Sequence, residues 1–318
     1  MKNWVCRKWY ALIATFRKQW KSIVSNIFAI VGAFFTLAEI FNSVFKSSVG
    51  FEFIRNNAVL LSLGILIICI ILNWKPLCFT CFLKDRDTKI TLLVDDIFKQ
   101  EGAFVIPTNT TFDTLMEDEF ISINSVQGQY QEKYYPRNLK ALDREIAHAL
   151  DGITYLEVQD GRTTNTRRYE IGTTCKISTQ SRHAYFLAVA DVNKYGKPEN
   201  VTFDKITSAL VCFWQKLNEF GHLENILMPI IGTGKAGIQD ASRDKIIQEI
   251  IFSFIVAARE MKVTENLIIC IHPKDFIQKN IHWDDLCEYL QYTCKYQYIE
   301  NNVREGKAEE NTVIARFG

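Results

Sequence analysis

Two long apolar runs occupy the first quarter of the chain, and a shorter-period alternation fills the rest. Ser22 to Ala38 has no charge and is rich in Ile, Val, Phe and Ala; Glu39 interrupts it and Ile40 to Phe45 continues it. Ala58 to Trp74 is a second run with no charged residue. About 20 apolar residues cross a bilayer core, so residues 23–45 and 58–74 are expected as two transmembrane helices of an anchor spanning 1–87. A cleaved signal peptide needs a small-residue cleavage site, and Phe41-Asn42-Ser43-Val44-Phe45 is a poor one. A soluble hairpin needs polar faces, which the second run lacks. Glu39 within the first run either lines a helix–helix contact or reaches toward Lys46 and the interface.

From residue 88 the pattern becomes that of an α/β domain. Lys89 to Val94 and Ala103 to Pro107 read as strands, and Tyr135 to Leu150 as a helix with Leu139, Leu142, Ile146 and Leu150 on one stripe. Tyr169 to Ser178 and Ala184 to Ala190 read as a hairpin. Thr202 to Phe220 is a helix closed by Gly221, Asn225 to Ile231 a strand, Ala241 to Glu260 a long helix and Asn266 to Ile271 a further strand. Such alternation predicts one three-layer α/β domain with a largely parallel sheet.

The charge pattern orients the whole. Lys and Arg number 37 against 36 Asp and Glu, so no global basic field points to nucleic acid. The first 21 residues nevertheless mix basic residues with Trp4, Trp9, Tyr10 and Trp20, as a membrane interface favours. Basic residues flank both outer ends of the runs, while the link holds only Lys46 and Arg55. The positive-inside bias then predicts a multi-pass protein with both ends of the anchor, and everything after residue 75, in the cytoplasm. Cys78-Phe79-Thr80-Cys81 has no second pair or nearby His, which argues against zinc and for packing next to the membrane. The five histidines form no metal set by spacing.

The candidate chemistry lies in Met228 to Asp240, MPIIGTGKAGIQD, where a strand meets a glycine-rich turn before a helix. Glycines let backbone N–H groups approach an anion, and a helix start adds a partial positive charge. Phosphate or pyrophosphate is the natural ligand. Lys235 is followed by Ala236, so no hydroxyl can serve a P-loop magnesium, and the next strand ends in Cys270-Ile271-His272 without the acid of a dinucleotide fold. A plain strand–helix turn without ligand is the bland alternative.

Three separated stretches resemble the macro domain, the ADP-ribose-binding fold. They are Leu92 to Ile97, Phe104 to Asp113 with its Pro-x-Asn element, and Pro229 to Ile238. The resemblance implies a three-layer macro-domain fold over 88–300, with 301–318 a polar tail. It implies that Asp96, with Ile97, meets an adenine amino group and that Asn109 faces a distal ribose. Ser125, Val126, Gln127 and Gly128 stand where the family has its first phosphate loop. Gly232, Thr233, Gly234, Lys235, Ala236, Gly237 and Ile238 stand at the second. The first loop has one glycine here, which implies an ADP-ribose derivative more than ADP-ribose itself. No metal or further cofactor is implied.

A two-span anchor ahead of such a domain resembles the membrane-anchored macro effectors of Thoeris anti-phage systems. There a partner TIR-domain enzyme makes an ADP-ribose-derived signal that the macro domain senses. The resemblance thus implies a receptor–effector that oligomerises, touches membrane lipid and disrupts the inner membrane, with no catalytic residue. The second reading is an ADP-ribosyl hydrolase with Lys235 as nucleophile and Asp240 as acid. A lysine beside pyrophosphate gains basicity, against the needs of a nucleophile.

Overall fold

The computed structural model describes residues 20–21, 24–33, 35–36, 39–40, 43, 56–72 and 77–295, apart from 85, 117–120, 159–164, 180–181, 194–197, 222–223, 233–236, 239 and 279–280. The chain divides into two units, Met1–Leu77 with Pro273–Gln278, and Cys78–His272 with Lys279–Gly318.

In the first unit, α1 runs Ala58–Leu72, 15 residues of unbroken apolar character. At 1.5 Å per residue it is about 22 Å long, short of the ~30 Å hydrocarbon core. Among the described residues no helix is long and apolar enough to cross a membrane. This corrects the expected transmembrane pair at 23–45 and 58–74, and with it the multi-pass inner-membrane location. The apolar run continues to Trp74, but the described helix stops at Leu72. Within 23–45, positions 23, 34, 37–38, 41–42 and 44–45 lie outside the described residues, as do the basic segment 1–19 and the tail 301–318.

The second unit is the α/β domain. In chain order it comprises β1 (Cys78–Phe82), β2 (Lys89–Leu93), β3 (Ala103–Asn109), α2 (Val126–Tyr134), α3 (Leu139–Ala149), β4 (Leu156–Glu157) and β5 (Arg167–Arg168). There follow β6 (Thr174–Thr179), β7 (Arg182–Val192), β8 (Pro198–Glu199), α4 (Phe203–Glu219), β9 (Ile226–Pro229), α5 (Arg243–Glu260) and β10 (Asn266–Cys270). Residues 283–295 are helical. The main sheet has the order β1-β2-β10-β9-β3-β7-β6, with β8 beside β7. β2, β10, β9, β3 and β7 are parallel; β1 and β6 run antiparallel at the two edges. The sheet starts ahead of residue 88, because Cys78–Phe82, read in the sequence as juxtamembrane, is its edge strand.

Strands covered on both faces need apolar residues at every position, not alternate ones. β3 and β7 meet that need with FVI and AYFLAVA, buried nearly throughout. Phe104, Ile106 and Phe186 point into one core with Tyr130, Leu142 and Ile146 of α2 and α3. Tyr185 points the other way, onto Phe213 of α4 at 6.0 Å between rings. α4 and α5 share that second face, joined by Trp214 on Phe254 and by the Trp214 Nε1–H donated to Ser253 Oγ at 3.1 Å. Side-chain caps start both helices: Thr202 accepts from Lys205 N and Ser242 from Lys245 N.

The crossovers after β3 and β9 therefore leave to opposite faces, and the two strands are neighbours. Their pairing covers Ala103↔Ile226 and Phe104↔Leu227. Beyond it β3 continues to Asn109 against β7, and β9 to Pro229 against β10. Pro107 and Pro229 stand in these continuations, and neither has an N–H to extend a ladder. A crevice thus opens at the carboxyl ends of the strands, where the direction of winding reverses, the usual ligand position in open α/β sheets.

Candidate functional site

Asp96, Asn109 and Gly232 stand at or just beyond the carboxyl ends of the parallel strands β2, β3 and β9. Asp96 comes after β2. It is buried, caps a 3-10 turn over Ile97–Lys99, and accepts from Phe98 N at 3.1 Å. Asp95 beside it accepts from Asp96 N at 2.7 Å, Lys99 Nζ at 3.1 Å and Gln100 Nε2 at 3.0 Å. Ile97 turns into the core with Phe98 and Phe104. Cys270, at the end of the neighbouring β10, has its thiol pushed up by burial first and then by the Asp95 and Asp96 charges. Acids therefore line this end of the crevice.

Asn109 ends β3 and folds into its own turn. Its Oδ1 accepts from Asp113 N at 3.0 Å and lies 3.2 Å from Thr111 Oγ1; its Nδ2 donates to Asp113 Oδ2 at 3.0 Å. Thr111 Oγ1 also donates to Asp113 Oδ2 at 2.6 Å. Asn109, Thr111 and Asp113 are all buried. Phe112 in the same turn has φ +50°, a value non-glycine residues rarely take, and its ring meets Tyr169 edge-on at 5.6 Å.

Three elements hold this turn. Gln127 Nε2 donates to Asp113 O at 2.7 Å and Gln131 Nε2 to Thr114 O at 3.1 Å, both from α2. Thr114 Oγ1 donates to Asp143 of α3. Asn165 Nδ2 reaches Thr111 O at 3.1 Å and Phe112 O at 3.3 Å. The residues expected at a first phosphate loop stand at the start of α2. Ser125 is its cap, accepting from Gly128 N at 3.0 Å, and Val126 is its first residue. Gln127 is buried and committed to the turn. A side chain at Gly128 would meet Ser122 O at 2.2 Å, so this glycine serves close backbone packing.

The glycine-rich segment follows β9, next to Asn109 in strand order. Gly232 has φ +73°, and its carbonyl accepts from Ile238 N at 3.0 Å, closing the loop. Gly237 and Ile238 are described; Thr233, Gly234, Lys235 and Ala236 lie outside the described residues. Asp240, the acid of the hydrolase reading, accepts from Phe203 N at the start of α4, at 3.2 and 3.1 Å to its two oxygens.

Sequence reasoning missed Thr111, Asp113, Gln127, Gln131 and Asn165 as the frame of the site. A signal was present in the polar run Asn109-Thr110-Thr111-Phe112-Asp113, which has Asx-turn chemistry. Among the described residues no group of His, Cys, Asp and Glu could hold a metal. His183 is paired with Glu224 at 2.5 Å and His282 with Asp244 at 2.7 Å. A cavity of about 320 Å³ opens behind the Asn109 turn, lined by Thr111, Phe112, Asp143, Asn165, Arg167 and Tyr169 among others. None of the expected ligand residues lines it.

The chain is similar to a Bacillus amyloliquefaciens (strain Y2) protein described as Thoeris protein ThsA, 20% identical over 239 residues that cover 73% of this chain and 78% of the relative. Among solved structures it is similar to the Oceanobacillus iheyensis macrodomain with ADP, at 15% identity and TM-score 0.46 over 71% of this chain and 99% of that one. It is also similar to the Trypanosoma brucei macrodomain in complex with ADP-ribose, at 12% identity and TM-score 0.40 over 64% and 67%. The profile of the family described as Thoeris protein ThsA, Macro domain, matches residues 90–272, more than half of the chain. The chain belongs to that family.

Proposed function

We propose that the crevice between β3 and β9 binds an ADP-ribose-derived nucleotide, and that the protein is a receptor for that signal in anti-phage defence. The supply of the signal by a partner TIR-domain enzyme, and self-association on binding, are parts of the same reading. The observation that carries it is the interrupted ladder between β3 and β9, with Asp96 and the loop that opens at Gly232 on one flank and Asn109 on the other. β2 and β3 are three strand spacings apart, roughly 14 Å at the usual inter-strand distance. That span suits a nucleoside joined through pyrophosphate to a second sugar. A carboxylate recognises an exocyclic amino group at one end, loop amides face the phosphates between, and a carboxamide meets hydroxyls at the other. Membership of a Thoeris macro-domain family supports the defence context.

A ligand acts as a signal only through differential affinity for two states of its receptor. Receptor and hydrolase therefore differ in what happens to the bound molecule. Asp240 holds the start of α4 through Phe203 N, an anchoring duty that favours the receptor.

The test is calorimetric titration of the full chain with ADP-ribose and with the products of a TIR enzyme acting on NAD, followed by mass analysis of the recovered ligand. Saturable binding with the ligand returned intact is expected. Asp96→Asn, which keeps an acceptor for Phe98 N, is expected to weaken binding about tenfold through loss of the charge-assisted bond. A mass change in the ligand would favour the hydrolase; no binding of either would overturn the reading of the crevice.

A further inference from the structure

The hydrogen-bond inventory of Asn109 fixes more than its position. A carboxamide has one oxygen that accepts twice and one nitrogen that donates twice. Asp113 N is a backbone donor and cannot face an NH₂ group, so its 3.0 Å contact identifies the atom it meets as Oδ1. Asp113 Oδ2, a carboxylate acceptor, lies 3.0 Å from the other end and identifies that end as Nδ2. The two contacts exclude the flipped orientation. Thr111 Oγ1 sits over both groups, 3.2 Å from Asn109 Oδ1 and 2.6 Å from Asp113 Oδ2. Among the described residues the Asn109 oxygen thus accepts from Asp113 N and has Thr111 Oγ1 packed over its other side, and its nitrogen retains one hydrogen.

We infer that Asp113 and Thr111 are positioning residues that make Asn109 a pure hydrogen-bond donor, so that the crevice selects a ligand presenting a lone pair at this point. A hydroxyl, phosphate or carboxylate oxygen satisfies the site. A group offering only N–H does not. The inference rests on the proposed nucleotide-binding role and specifies the chemistry of one end of it. The turn is built for such duty. Gln127 and Gln131 hold its carbonyls from α2 and Asn165 from the opposite side, so the carboxamide cannot turn without breaking buried hydrogen bonds.

The full-length protein labelled with ¹⁵N-asparagine tests this with ADP-ribose as the probe, the Asn109 side-chain pair being assigned by its loss in Asn109→Asp. In the free protein the two Nδ2 hydrogens are expected to differ, one protected from exchange by Asp113 and one exposed. Saturation with ADP-ribose should shift and protect the second alone. Asp113→Asn, which replaces the carboxylate acceptor of the inner Nδ2 hydrogen by a neutral amide while Asp113 N still fixes Oδ1, should reduce the difference and weaken binding about tenfold. Because that variant touches a buried carboxylate, Thr111→Ser and Thr111→Val form an independent pair. Serine keeps the hydroxyl and should bind as the parent does, whereas valine should bind several-fold more weakly with the Asn109 signals altered. Binding of ADP-ribose with both Nδ2 hydrogens unmoved, or undiminished by Asp113→Asn and Thr111→Val, would overturn the positioning role and leave the nucleotide reading intact. No binding by the parent protein up to millimolar ADP-ribose would overturn the nucleotide reading and this inference together.

Discussion

Single residues in this protein change meaning once their neighbours are known. Gly128 and Gly232 both stand where the sequence suggests a phosphate loop, yet they serve different ends. Gly232 takes a φ of +73° and opens a closed loop; a side chain there would meet the tips of Ile206 and Val201 and be strained by the backbone. Gly128 lies inside α2 with its Cα against the backbone of Ser122 and Ile123, at 2.2 and 2.8 Å from an added Cβ. Backbone cannot step aside as a side-chain tip can. Gly128→Ala is therefore expected to destabilise the fold by about 1–3 kcal/mol, the usual cost of overpacking, read from chemical denaturation. The strand ends that carry Asp96 and Asn109 were legible from the sequence because the strands before them are apolar. The buried frame that aims Asn109 was not, because Asp113, Gln127 and Gln131 look like ordinary surface residues until the chain folds over them.

Elements follow the same division. β2, β3, β7, β9 and β10 and the helices α3, α4 and α5 were readable because their apolar periods are strong. α2 was not. Its sequence, VQGQYQEKY, contains a glycine, and two of its buried positions are glutamines, so no apolar stripe announces it. Yet α2 ties both flanks of the crevice, reaching Asp113 and Thr114 through its glutamines and Phe98 O through Lys133 Nζ at 3.0 Å. β1 was missed because Cys78–Phe82 is short and sits just after an apolar run. On the opposite face, α4 and α5 meet through the indole of Trp214 and the hydroxyl of Ser253, both buried. Ser253→Ala leaves that indole N–H without its acceptor, and a loss of about 1–3 kcal/mol in unfolding free energy is expected. Trp214→Phe in the same background should recover part of it, because the unsatisfied donor is gone.

At the scale of the molecule, burial sets a limit on alkaline stability. Burial pushes the Cys175 thiol up from 9.0 to about 12 and the Tyr135 hydroxyl up from 10.0 to about 12. Both groups are neutral in the fold and ionise more easily in the unfolded chain. Their contribution is fully present below about pH 9 and is lost as pH rises through 12, by up to about 1.4 kcal/mol per unit for the deeply buried Cys175 and by less for Tyr135, which solvent partly screens. Unfolding free energy measured at successive pH values should be level with respect to these groups up to pH 8.5 and then fall. Cys175→Ser should soften the slope.

The interrupted ladder also has a mechanical meaning. β1, β2, β10 and β9 form one plate, and β3, β7 and β6 another; two residue pairs join them. The bonds of α2 to Thr114 O on one side and Phe98 O on the other carry much of the remaining link between the plates. Asp96 belongs to one plate and Asn109 to the other, so the proposed nucleotide, held by both, would brace the same join. Recognition and stiffening would then be one event.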